Sequence, residues 1–195
     1  MTQRHLTAEE YRARLEGKKR RPIAMTPNAP WPCVILAVDT AENSGWSIWR
    51  HGEIDSWGEV DLMMRDALYP PFQTLNACFP NATKVLVLEL PFRGNSQGQW
   101  IGHWKHEWTV KHSLPRTKIV QVNPQTWRCK VIGLSNQKRD EMRKLEQQTA
   151  KRIIGMRRGE LGTDEAAAIC IGKWASWAPQ VGSKLTAKQR EVRVS

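Results

Sequence analysis

Short continuous apolar runs alternate along this chain with segments of helical spacing. CVILAVD (33–39) and KVLVLEL (84–90) are short apolar runs rich in β-branched residues, each with a carboxylate at or near its end, the pattern of strands buried on both faces. TKIVQV (117–122) adds a further strand. WSIWRHGEIDSWGEV (46–60) changes character about His51-Gly52 and predicts a β-hairpin with a tight glycine turn. Residues 62–79 have helical spacing interrupted by Pro70-Pro71, which predicts one helix broken in the middle. Residues 93–113 open as a glycine-rich loop and become helical, with Trp100, Trp104 and Trp108 on one face. Pro124 opens a short helix. Residues 136–155 read as a strongly basic helix with Met142, Leu145 and Ile153 turned inward, and 164–178 as a closing alanine-rich helix. The order β-β-β-α-β-α-β-α-α is that of an α/β sandwich.

The ends read differently. Thr7 and Glu10 fit a capping box, and Tyr11 and Leu15 share one face of a short basic helix. Residues 22–32 hold four prolines and no charge, as a linker or extended strap does. The expected organisation is a basic N-terminal extension with a proline-rich linker (1–32), one folded domain (33–178) and a basic C-terminal tail (179–195). No stretch approaches the roughly 18 to 20 apolar residues of a membrane span, and the N-terminus lacks the apolar run of a secretory signal. A soluble, intracellular protein with no membrane partner is expected. The four cysteines, Cys33, Cys78, Cys129 and Cys170, form no CxxC pair and read as buried free thiols.

Charge changes the picture. The 195 residues carry a net charge of +11, which points to a polyanionic partner. The surplus is uneven: residues 31–92 carry −5 and 159–172 carry −3, while 128–158 carry +7. Acidic patches inside a basic chain are what a site needing cations beside bound nucleic acid requires.

Three acids interrupt apolar segments: Asp39, Glu89 and Asp164. Carboxylates ending two central strands and opening a helix can converge at one sheet edge. Two like charges about 5 Å apart at an effective dielectric near 20 repel by about 3 kcal/mol, so such a cluster persists with cations or protons between its members. Oxygen ligands suit Mg²⁺ or Mn²⁺. Taken singly, each acid also fits a plain strand-end or helix-cap role.

ILAVDTAENSGWSIW (35–49), VLVLELPF (85–92), VNPQTWRCKVIG (122–133) and GTDEAAAICIG (162–172) resemble, in order and spacing, the motifs of the RuvC-like Holliday junction resolvases, phage type, in the RNase H-like superfamily. The resemblance spans about 33–178. It implies an RNase H-like fold with a five-stranded mixed central sheet flanked by helices. It implies that Asp39, Glu89 and Asp164 are catalytic, metal-binding residues using Mg²⁺, with Mn²⁺ as the alternative. It makes Phe92 an aromatic that stacks on bases near the crossover, and Arg128 and Lys138 basic residues facing phosphates. Arg139, Arg143 and Lys144 extend that basic surface along the helix, whose bland reading is a solvated amphipathic face. Implied as well are branched DNA, four-way junctions above all, as partner, a homodimer, and the cytoplasm of a bacterial or phage-infected cell.

One position departs from the pattern. Phage-type relatives carry a second aspartate three residues after the first on the last helix, where this chain has Ala167. Glu165 lies about 100° around the helix from Asp164 and substitutes poorly. A natural departure and an inactivating Asp-to-Ala change both explain Ala167, and the intact surroundings favour the second. The rival readings are another RNase H-like nuclease acting on RNA–DNA hybrids or branched DNA, and a non-catalytic junction-binding protein. An actin-like ATPase or sugar kinase lacks its second phosphate loop here. The tryptophan face reads as core, dimer interface or stacking wall, core or interface being the favoured readings, and His103, His106 and His112 receive no catalytic role.

Overall fold

Alternation of apolar side chains along two central strands divides the protein into two cores. In the computed structural model, which describes residues 30–64, 68–90, 98–134 and 137–186, strand β1 (Val34–Asp39) lies at the centre of a five-stranded sheet of order β3-β2-β1-β4-β5. Strands β2 (Asn43–Arg50) and β3 (Glu53–Asp61) run antiparallel to it as a meander, and β4 (Lys84–Glu89) and β5 (Ile119–Val122) continue the sheet in parallel. The sheet is therefore mixed, as expected. The turn between β2 and β3 uses His51 and Gly52, both at positive φ (51° and 81°), as a two-residue type I′ hairpin requires.

Ile35 and Ala37 of β1, with Val85 and Val87 of β4, face one core; Leu36, Val38, Leu86 and Leu88 face the other. The first core is covered by helices α3 (Pro124–Val131), α4 (Arg139–Ile153) and α5 (Thr163–Ala175), with the short α6 (Pro179–Gly182) at its rim. It also takes in Trp31, whose indole N–H donates to the Ala178 carbonyl at 2.8 Å, and Val181 and Leu185. The second core is covered by α1 (Tyr69–Cys78) and α2 (Gly98–His106).

Several expectations change. Pro70 and Pro71 do not break a helix; they stand in the first turn of α1, where an absent N–H costs no intrahelical bond. Trp100, Trp104 and Trp108, by contrast, are core residues, one of the two favoured readings: Trp104 and Trp108 are fully buried, with Phe72 between them at ring distances of 6.2 and 6.3 Å. The face holds together because α2 runs on into a π-helical turn, Glu107–Lys111. Cys33 and Cys170 are buried free thiols, but Cys78 and Cys129 are exposed on helix faces turned from the core. The inward stripe of α4 is Met142, Glu146 and Ala150, so a glutamate rather than Leu145 takes the central inside position. The expected N-terminal helix, most of the proline-rich segment, Phe92, the loop at 93–97 and residues 187–195 lie outside the described residues.

Candidate active site

Register brings the first two acids together. Val38 stands opposite Leu88 on the parallel neighbours β1 and β4, so Asp39 and Glu89 follow side by side at the carboxyl ends of the strands. By period two they share the face of Ile35, Ala37, Val85 and Val87, the face covered by α5. The Thr40 hydroxyl donates to the Glu89 carbonyl oxygen at 2.6 Å and ties the two strand ends.

The third acid depends on a glycine. Gly45 of β2 is the register partner of Asp39, and a Cβ there would overlap the backbone carbonyl of Asp164. The missing side chain lets the first turn of α5 lie on the sheet directly beside Asp39. Further along, the Ser47 hydroxyl donates to the Ala168 carbonyl at 2.7 Å and holds the helix against β2. The expected trio Asp39, Glu89 and Asp164 thus converges at one end of the sheet.

Arg128 and Glu146 join them. Arg128 Nε donates to Glu146 Oε1 at 2.7 Å, and its Nη2 lies 3.8 Å from Glu89 Oε1. Arg128 is therefore engaged with buried carboxylates and is not a free surface cation. Arg143 is half-buried and close enough to favour the charged forms of Asp39, Glu146 and Asp164. Lys138, Arg139 and Lys144 are exposed along α4. Glu165 accepts from the Gly162 N–H at 2.9 Å, closing the start of α5 instead of joining the acids. Ala167 is 2% exposed and packs in the first core. His112 stacks on Phe72 at 4.3 Å, away from the carboxylates.

Glu146 is the site residue that sequence reasoning passed over. Its signal was available: with Met142 and Ala150 it recurs every four residues, placing an acid in the middle of an inward stripe.

The electrostatics follow from crowding and loss of water. Burial, and then the charges of Asp164 and Glu146, push the Asp39 carboxyl up to about 7, against the pull of Arg128 and Arg143. Glu89 is raised well above the ordinary carboxylate range by burial and then by Asp39, with Arg128 opposing. Burial also raises Glu146 and Asp164. These acids bind protons more tightly folded than unfolded. Their favourable contribution is complete below the unfolded-state range near pH 4 and is lost as pH rises through about 7 for Asp39. The cation-free protein is expected to melt at a lower temperature at pH 8 than at pH 5.5. A melting temperature that rises over this interval contradicts the crowding of the acids.

Among the described residues no three acidic, histidine or cysteine side chains already surround one point as a finished metal cage. The donor set nevertheless fits a hard divalent cation. It is all carboxylate and crowded, and Glu89 Oε2 is buried with the Trp127 indole N–H as its polar neighbour but no well-formed hydrogen bond between them.

No protein-family model and no curated protein sequence matches the chain. Among solved structures it is similar to RuvC of Thermus thermophilus, with a TM-score of 0.52 and 10% identity over 76% of this chain and 96% of that one. It is likewise similar to T. thermophilus RuvC in complex with Holliday junction substrate, with a TM-score of 0.52 and 11% identity over 77% and 97% of the two chains. The class that the sheet order and these likenesses define is the RNase H-like α/β fold. It is the fold expected from the sequence. No helix among the described residues is long and apolar enough to cross a membrane.

Proposed function

We propose that this chain is a divalent-metal-dependent endonuclease that cuts phosphodiesters in branched DNA, four-way junctions above all, acting as a homodimer in the cytoplasm. The observation that carries the reading is the meeting of Asp39 and Glu89, at the carboxyl ends of two central strands, with Asp164 at the start of α5. The similar fold of RuvC, solved in complex with Holliday junction substrate, supports the choice of DNA.

In this reading Asp39, Glu89 and Asp164 hold Mg²⁺ or Mn²⁺. When bound, the metal supplies activation of water and stabilisation of the departing 3′ oxygen. The protein's own part is to fix the acids: the paired strand ends set Asp39 against Glu89, and Gly45 admits Asp164 beside them. Lys138, Arg139, Arg143 and Lys144 carry DNA phosphates along α4, and Phe92 stacks on bases near the crossover, worth about 1–3 kcal/mol per base. A two-fold dimer presents two such sites to symmetry-related strands, which accounts for paired incision.

Ala167 stands where an aspartate completes the acid set, which makes the chain as written a better binder than cutter. Its small, buried side chain favours a second reading, a protein that binds junctions without cutting them. Labelled four-way junctions, plain duplexes and RNA–DNA hybrids, each incubated with the chain and with its Ala167→Asp variant with and without Mg²⁺, separate the two. Symmetric, Mg²⁺-dependent cuts confined to junctions, stronger in the variant, are the expected result. Tight junction binding with no cutting by either protein selects the non-catalytic reading, and equal cutting of plain duplex removes junction selectivity.

A further inference from the structure

Glu146 occupies an expensive position. It is 3% exposed on the inward stripe of α4, where an apolar residue of similar volume would pack without desolvating a charge. Its Oε1 accepts from Arg128 Nε at 2.7 Å, whereas Arg128 Nη2 remains 3.8 Å from Glu89 Oε1. One guanidinium therefore stands between two buried acids and is bonded to only one. The Trp127 ring, 5.0 Å from Arg128 Cζ, backs it. The other acid, Glu89, lies at ion-pair distance from the guanidinium without a hydrogen bond to it, and its second oxygen, Oε2, is buried beside the Trp127 indole with no well-formed hydrogen bond.

We propose that Glu146 is a positioning residue: its carboxylate holds Arg128 away from Glu89 and cancels its charge, leaving Glu89 open to a divalent cation. The proposal rests on the reading of Asp39, Glu89 and Asp164 as the acids that hold the cation. Arg128 has five N–H donors in a planar fork that fits a carboxylate bidentately. Deprived of Glu146, the fork needs to travel only about 1 Å to reach bonding distance from Glu89. The guanidinium then occupies the carboxylate and adds an uncompensated positive charge at the cation's place. Glu146 thus acts through Arg128, with Arg143 as the further cation facing it.

Calorimetric titration of MnCl₂ into the DNA-free chain tests this without reference to cleavage. Glu146→Gln is expected to weaken Mn²⁺ binding about tenfold or more, because the amide no longer neutralises Arg128. Adding Arg128→Met to Glu146→Gln is expected to restore the affinity to within about threefold of the unaltered chain, since the competing cation is gone. A purely structural role for Glu146 predicts no such rescue. Glu146→Asp keeps the charge but shortens the reach to Nε, and is expected to cost about threefold. Circular dichroism checks that each variant is folded. Unchanged Mn²⁺ affinity in Glu146→Gln, or a double variant as weak as the single one, overturns the proposal. Should Glu146→Gln fail to fold, unaltered affinity in Glu146→Asp does so. Absence of Mn²⁺ binding by the unaltered chain overturns the reading of the site together with this inference, so the two failures are told apart.

Discussion

Asp39→Asn, made in the Ala167→Asp background, is expected to lower Mg²⁺-dependent junction cleavage by about 10³-fold, since charge stabilisation by a bound metal is worth several kcal/mol at the transition state. Asp39 is the acid that all the others surround: it is followed into the site by Glu89 on the neighbouring strand and lies in register with the glycine beneath Asp164. An amide is similar in shape but binds a hard cation weakly and carries no charge. The substitution has a second consequence of opposite sign. Removing one charge from a crowded, desolvated group relieves repulsion on Asp164, Glu146 and Glu89, so the cation-free variant should melt at a higher temperature at pH 8, and the fall in melting temperature from pH 5.5 to pH 8 should flatten. Less cleavage with greater stability distinguishes a functional acid from a structural one. Cleavage within tenfold of the parent, or a destabilised protein, counts against Asp39 as a cation-holding residue.

Gly45→Ala is expected to damage both stability and activity. The new methyl overlaps the Asp164 carbonyl and crowds the backbone of Glu165, which are main-chain atoms and cannot rotate aside. The start of α5 must lift from β2, against the Ser47–Ala168 hydrogen bond and the packing of Ala166 and Ala167. Overpacking of this kind costs about 1–3 kcal/mol, or roughly 2–12 °C in melting temperature for a domain of this size. Displacing Asp164 by about 1 Å from Asp39 is enough to lower cleavage about 100-fold in the variant that remains folded. Thermal denaturation and single-turnover cleavage in the Ala167→Asp background measure the two effects. A substitution that leaves both unchanged means that α5 does not rest on Gly45.

The elements most legible in the sequence were those whose pattern has one structural solution. CVILAVD and KVLVLEL are too short and too β-branched for helices and too apolar for a strand with a wet face, so they had to be central strands. His51-Gly52 between alternating segments had to be a hairpin, because the two-residue turn needs positive φ at both positions. Asp39 and Glu89 were legible for the same reason: a carboxylate at the end of a buried strand stands out. Local pattern misled where it has two solutions. Pro70-Pro71 can break a helix or begin one, and only the packing of Phe72 and Leu75 under the sheet selects the beginning. The spacing of the tryptophans allows an interface as readily as a core; Phe72, far off in sequence, decides for the core.

By itself, then, the sequence determined the strands and most of the described helices and singled out three acids as candidates, because apolar periodicity and the cost of a charge in an apolar run are local properties. What tertiary structure alone decided is which side chains meet. No local rule puts Gly45 opposite Asp39 and under Asp164, and none places Glu146 on Arg128 rather than in water. Those contacts join residues far apart in the chain, and they exist because strand register and the seating of α4 and α5 on the sheet bring them within hydrogen-bonding reach.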